Sequence, residues 1–121
     1  MVTIKIAKDF SKELGCRYRK DGAHSGEEFR DDLLIHKFYE AVRKQEPLFI
    51  DFDDTYGIGR AWLDEAFGGL VLKYGIVFLG DILEIKSDDD ETLEEYLRKI
   101  IFDAEDVIWA YTYECIERMR K

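Results

Sequence analysis

The chain has 121 residues, 46% hydrophobic and 14% aromatic, with a net charge of −9. That is enough apolar material for one packed core and predicts a single domain over 1–121. One proline and no Ser/Gly/Pro-rich tract argue against a long disordered region. The acidic balance disfavours direct nucleic-acid binding, because phosphate contacts supply most of that affinity. No apolar run approaches the roughly 20 residues of a membrane span. The opening "MVTIKIAKDF" carries Lys5, Lys8 and Asp9, so it lacks a signal-peptide core and predicts a cytoplasmic protein.

In chain order, "VTIKIA" (2–7) alternates apolar and polar residues and predicts an edge or half-buried strand. A polar, glycine-bearing loop follows and ends in "SGEE". Ser25 with Glu28 three residues on is a capping-box pattern. It predicts a helix over about 26–44, with apolar positions 29, 33, 34, 38, 41 and 42. Pro47 stops it. "LFIDF" (48–52) is short and almost wholly apolar, as a buried and parallel strand would be.

"DDTYGIG" is a turn into a helix over 60–74 with a wide apolar face: Trp62, Leu63, Ala66, Phe67, Leu70 and Val71. Gly68 and Gly69 cost helix propensity, which points to a close approach to the sheet or a bend. "GIVFLGDILEIKS" (75–87) holds two short strand candidates around Gly80-Asp81. From Asp88 the acids favour a helix start. A stripe at Leu93, Leu97, Ile100, Ala104, Ile108, Tyr111 and Cys115 predicts one long final helix, with a break expected near Phe102–Glu105. The order β, α, β, α, β, β, α indicates an α/β sheet with packed helices.

Several motifs suggest chemistry. Asp51, Asp53 and Thr55 spell D-x-D-x-T at a strand end, resembling the nucleophile motif of the haloacid dehalogenase phosphohydrolases. In that family the first Asp attacks phosphorus and the second is the acid. Against this, 47 residues precede the strand. Lys73 and Lys86 are not expected to follow a strand as that family's lysine does, and "SDDD" falls at an expected helix start. Mg²⁺ held by Asp51, Asp53 and Asp54 is chemically feasible, yet no other ligand signal accompanies it, so no metal or cofactor is expected. "GIG" (57–59) fails as a dinucleotide loop, since Trp62 stands where the third glycine belongs. Arg17, Arg19 and Arg30 flank the loop before a helix start and form a candidate anion site; the plainer expectation is pairing with the chain's own acids, such as those at 51–54. Cys16 and Cys115 sit in no C-x-x-C pair and are expected as reduced thiols.

Three stretches, "RYRKDGAHSGEEFRDDLL", "IDFDDTYGIGRAWLDEAFGGLV" and "LEIKSDDD", together with the final helix, resemble the STAS-like domain family of unknown function of bacteria, archaea and phages. Glu65 to Gly69, E-A-F-G-G, is the most specific part. The resemblance implies a small mixed sheet with helices packed on one side and a long C-terminal helix. It also implies a regulatory role through protein–protein interaction, like anti-sigma-factor antagonists, with a kinase-like ATPase as the family-level partner. Those antagonists are switched off by phosphorylation near the start of the helix after the central strand. Here the stretch is "GRAWLDEAF", without a serine, so Thr55 is the phosphorylation candidate.

The reading is a non-enzymatic interaction domain that uses Asp53, Asp54, Thr55, Tyr56, Gly57 and Arg60. Exposed Tyr and Trp on the last helix would permit a homodimer. One alternative is an acidic inhibitor or counter-defence protein, phage-encoded, that competes for a nucleic-acid-handling protein; residues 81–106 carry eleven acids against three bases. The other is a Mg²⁺-dependent phosphohydrolase using Asp51 and Asp53.

Overall fold

The computed structural model describes residues 1–120; the expected domain runs one residue further, to Lys121, which lies outside them. Three strands, β1 (Val2–Lys5), β2 (Leu48–Asp51) and β3 (Leu83–Lys86), form one sheet in the order β1-β2-β3. β1 is an edge strand and β2 the centre, as their patterns predict. Both pairings are parallel and in register: Ile4 with Ile50 with Ile85, and Lys5 with Asp51 with Lys86. The expected mixed sheet is therefore corrected to an all-parallel one.

The second strand expected within 75–87 is absent. Gly75 turns left-handed at φ 69° and Ile76 hydrogen-bonds back to Val71. The chain then enters a short helix, α4 (Leu79–Ile82), whose end runs straight into β3. A parallel partner for β3 would have needed a crossover of a dozen residues or more, for which this interval has no room.

The remaining helices are α1 (Ile6–Asp9), α2 (26–44), α3 (60–74) and α5 (Leu93–Met119), with one 3-10 turn at Arg19–Asp21 in the loop before α2. One sheet face, Val2, Ile4, Leu48, Ile50 and Leu83, is buried. The other carries Thr3 and Glu84 to solvent. The helices thus pack on one side, and alternation along each strand explains why.

α2 begins as expected: Ser25 Oγ accepts from the Glu28 N–H at 3.0 Å. The return bond differs, since Glu28 accepts from the His24 N–H rather than from Ser25 itself. At Arg30–Leu34 the helix widens into a π turn. Phe29 and Phe38 are nine residues apart, which in a straight α-helix places them half a turn apart. The π turn takes up part of that angle, and both rings are buried.

α3 has a matching π turn at Asp64–Gly68. All six of its predicted apolar positions are buried. Gly68 and Gly69 approach other helices rather than the sheet: a Cβ on Gly68 would meet Ile100 Cγ2 at 3.3 Å, and one on Gly69 would meet Arg30 Nη1 at 2.5 Å. α5 is continuous for 27 residues, without the expected break.

Candidate functional site

The C-terminal ends of parallel strands are where open α/β sheets bind their ligands. Here that edge carries the row Lys5, Asp51, Lys86, followed by the turn 52–59. Asp51 Oδ1 accepts from the Asp53 N–H at 2.9 Å and so folds the turn. Its other oxygen lies 3.9 Å from Lys5 Nζ, which is also 3.7 Å from Asp54.

Asp53 turns back into the protein. Its carboxylate accepts from Lys86 Nζ and from the Asp89 N–H, the latter at 3.0 Å. The Lys86 hydrogen bond, helped by the Asp89 N–H, holds Asp53 below the usual carboxylate range. The same bond, with Asp88 adding to it, raises Lys86 above the ordinary lysine value. Asp89 completes the latch by accepting from the Asp54 N–H at 2.8 Å. Asp54 adopts φ 67°, a conformation that Asp tolerates better than most residues.

On the other flank, Tyr56 uses both backbone groups on the segment 12–14: its N–H donates to Lys12 and its carbonyl accepts from Leu14. Gly57 makes that contact feasible. Its φ is 80°, and a Cβ there would stand 2.8 Å from the Leu14 oxygen. Thr55 Oγ donates to the Phe52 carbonyl at 2.6 Å. The turn is thus held on both sides, while the Tyr56 ring stays 60% exposed.

Beyond the turn, Gly59 precedes α3 without a side-chain cap. Arg60 lays its guanidinium 5.3 Å from the Tyr96 ring centroid. A groove of about 690 Å³ opens here, lined by Ile58, Arg60, Leu63, Leu93 and Tyr96. A second hollow of about 530 Å³ continues from it between α3 and α5. The Tyr96 hydroxyl is buried and has no hydrogen-bond partner among the described residues.

Of the predicted residues, 53–57 and Arg60 share this one edge. The three arginines lie elsewhere, with acids other than those at 51–54. Arg17 lies 3.6 Å from both Asp64 and Glu65, and Arg19 bonds Asp32 at 2.5 Å. Arg30 is buried at 4% exposure, bonded to Asp31, to the Glu65 carboxylate and to the Glu65 carbonyl. Burial opposes its charge, but the bonds to Asp31 and Glu65 raise its pKa nonetheless.

This gives E-A-F-G-G a physical meaning. Glu65 receives Arg30 and Arg17. Ala66 lies beneath Gly26, where a Cβ would come 3.3 Å from the Ala66 nitrogen. Phe67 packs with Phe29 and Phe52. Gly68 admits Ile100, and Gly69 admits the Arg30 guanidinium.

A family model, the STAS-like domain of unknown function (DUF4325), matches residues 25–93, more than half of the chain. The chain belongs to this family. The match begins at the Ser25 cap and ends at the first residue of α5, so it spans the two π-turn helices, β2, β3 and the turn between them. No curated protein and no solved structure matches the chain. No helix of the STAS-like domain, among the described residues, is long and apolar enough to cross a membrane.

Two objections drawn from the sequence to a phosphohydrolase need correction. Lys86 does close a strand, and Asp88–Asp90 follow a parallel strand beside β2 directly, before α5 begins at Leu93. Among the described residues, however, no three His, Cys, Asp or Glu side chains converge as a cation cage. Cys16 and Cys115 are free thiols. Sequence reasoning misses Lys5, Ile58 and Tyr96, and weighs Lys86 and the acids of "SDDD" only to set them aside. Lys86, two residues ahead of an acid run at a strand end, was the one with a readable signal.

Proposed function

We propose that this STAS-like domain is a non-enzymatic regulatory module that binds another protein through the turn 53–60 and the groove behind it. The observation that carries the reading is the double latch. Asp51 and Asp53 spend their oxygens on the protein's own N–H groups and lysines, while Tyr56, Ile58 and Arg60 stand preorganised beside an open groove. A rigid exposed aromatic next to an arginine has the composition of a binding hot spot. The family resemblance suggests a kinase-like ATPase as partner.

Thr55 is the switch in this reading. Phosphorylation would remove its bond to Phe52 and add nearly two negative charges beside Asp53, Asp54 and Asp89. Like-charge repulsion would open the latch and release the partner. The test is an affinity pull-down from the native host with wild type, Tyr56→Ala, Arg60→Glu and Thr55→Asp. One protein should be enriched by wild type and lost with each variant. Equal capture by all four chains would sink the proposal.

A second reading is supported by one observation: Asp51, Asp53, Lys86 and Asp88–Asp90 share the C-terminal edge of two adjacent parallel strands. A Mg²⁺-dependent phosphohydrolase would turn over a generic phosphoester, and Asp51→Asn would abolish that. No turnover by wild type would dismiss it.

A further inference from the structure

The hollow of about 530 Å³ between α3 and α5 has a charge opposite to that of the molecule around it. The chain carries a net charge of −9. Yet five cations line this hollow, against three carboxylates. Four of the five have partners. Arg17 lies beside Asp64 and Glu65, and Arg30 beside Glu65 and Asp31. Lys73 lies beside Asp31, and Lys99 beside Asp103. Those four carboxylates balance those four cations, even with Asp31 counted from behind the wall. Arg60 is the surplus charge. Among the described residues it pairs with no carboxylate and lies over the Tyr96 ring instead.

Tyr96 is the second observation. It stands in the wall shared by this hollow and the outer groove. Its hydroxyl is buried and has no partner among the described residues. A buried hydroxyl left unpaired costs free energy, so an acceptor entering there is favoured. An anion at Arg60 is an entrant that serves both groups, since it accepts from the guanidinium and from the hydroxyl. The nearby acids Asp90 and Glu95 line the outer groove and not the hollow, so an approach from the hollow side avoids them. That side also offers apolar wall at Leu72, Ile100 and Val107.

We infer that this hollow binds a small organic monoanion, a carboxylate carried on an apolar body. The carboxylate draws Arg60 off the ring face and takes the Tyr96 hydroxyl that this movement uncovers. The apolar body lies against Ile100 and Val107. One surplus positive charge selects a singly charged head; a dianion would bring a second negative charge toward Asp64, Glu65 and Asp103. The volume falls within the range of small-molecule sites. The inference goes beyond partner binding by the turn 53–60, with which it shares Arg60. Tyr56 lies outside the hollow and Leu72 outside the turn and the outer groove, so the two surfaces are separable.

Calorimetric titration with naphthylacetate tests it, with the neutral naphthylacetamide as control. Wild type should bind the acid at one site and the amide about tenfold more weakly, as loss of a charge-assisted hydrogen bond implies. Arg60→Ala should weaken the acid to the level of the amide. Leu72→Glu should do the same by setting a carboxylate at the mouth. Tyr96→Phe should weaken it severalfold. Arg60 and Leu72 are exposed, so both variants should keep wild-type thermal unfolding. Tyr56→Ala should bind the acid as wild type does, whatever becomes of its protein partner. No saturable binding by wild type, equal affinity for acid and amide, or unchanged affinity in Arg60→Ala, Leu72→Glu or Tyr96→Phe overturns the inference. So does loss of the acid with Tyr56→Ala, which would put the anion on the turn.

Discussion

Asp53 shows how one carboxylate sets the state of a whole turn. Its folded pKa is depressed by Lys86 and by the Asp89 N–H. The stability it contributes is complete above its unfolded pKa of roughly 3.9, and is lost as pH falls through the lower folded value. Chemical denaturation of wild type between pH 7 and pH 3 should show stability falling at the acid end. Asp53→Asn should start less stable at pH 7 and lose less on acidification. Some slope remains in the variant: burial pushes Asp31 up, but the bond and charge of Arg30 together with Lys73 outweigh it and leave its pKa also lowered. A variant with the full wild-type slope would remove Asp53 from the account. Gly26 makes a second case, in which space rather than charge decides. A Cβ there would lie 2.5 Å from the Trp62 carbonyl oxygen, which is backbone and cannot rotate away. Gly26→Ala should therefore destabilise by about 1–3 kcal/mol, as overpacking does, despite alanine's better helix propensity. Urea unfolding decides it; a neutral or stabilised variant would mean that α2 and α3 separate freely. The D-x-D-x-T pattern made the Asp residues visible in the sequence. What it could not carry was their direction, because the partners, Lys86 and Asp89, lie more than 30 residues away.

At the scale of elements, the strands and helices follow local pattern closely. Alternation placed β1, an apolar run before "DD" placed β2, and Ser25 with Glu28 placed the start of α2. The π turns left no such trace. They face each other across the α2–α3 contact, and Arg30, from the first, bonds Glu65, from the second. A π turn alters the register by about one residue, which periodicity over a 19-residue helix blurs. Sequence leaves Arg30 between an anion site and the plainer pairing with the chain's own acids; the pairing is what forms, but with Asp31 and Glu65 rather than with the acids at 51–54. Breaking a buried ion pair by removing one partner typically costs 3–5 kcal/mol. Arg30→Ala should cost on the order of 3 kcal/mol by that principle, because Glu65 and Asp31 are left largely enclosed. Glu65→Ala should cost less, since Arg30 keeps Asp31. The pair in a double-mutant cycle should show a coupling of roughly 1 kcal/mol or more, as contacting charged groups do. Additive effects would mean that the two helices are held by packing alone.

The whole molecule divides into a covered part and a projecting one. The apolar stripe along α5 predicts one long helix, and the break expected near Phe102–Glu105 does not occur. The stripe cannot say where the supporting body stops, because that is decided by the combined thickness of α3 and α4. Glu105 marks the limit: its carboxylate accepts from the Gly80 N–H at 3.2 Å, tying α5 to α4. Past Ile108 no residue is buried among the described residues. A chain ending at Ile108 should thus keep its sheet, its buried core and the latch at 53–60. Its thermal unfolding at low concentration should match wild type within a few degrees, since almost no apolar area buried within one chain is lost. At high concentration the two diverge only if the exposed outer helix self-associates, as its Trp and Tyr would permit. If wild type gains from association, its stability rises with concentration by mass action, whereas the shortened chain's does not. Unfolding followed at several concentrations separates two roles for the outer helix. A shortened chain already unfolded at low concentration would show that the projecting segment supports the monomer; parallel concentration dependence in both would place any self-association on another surface.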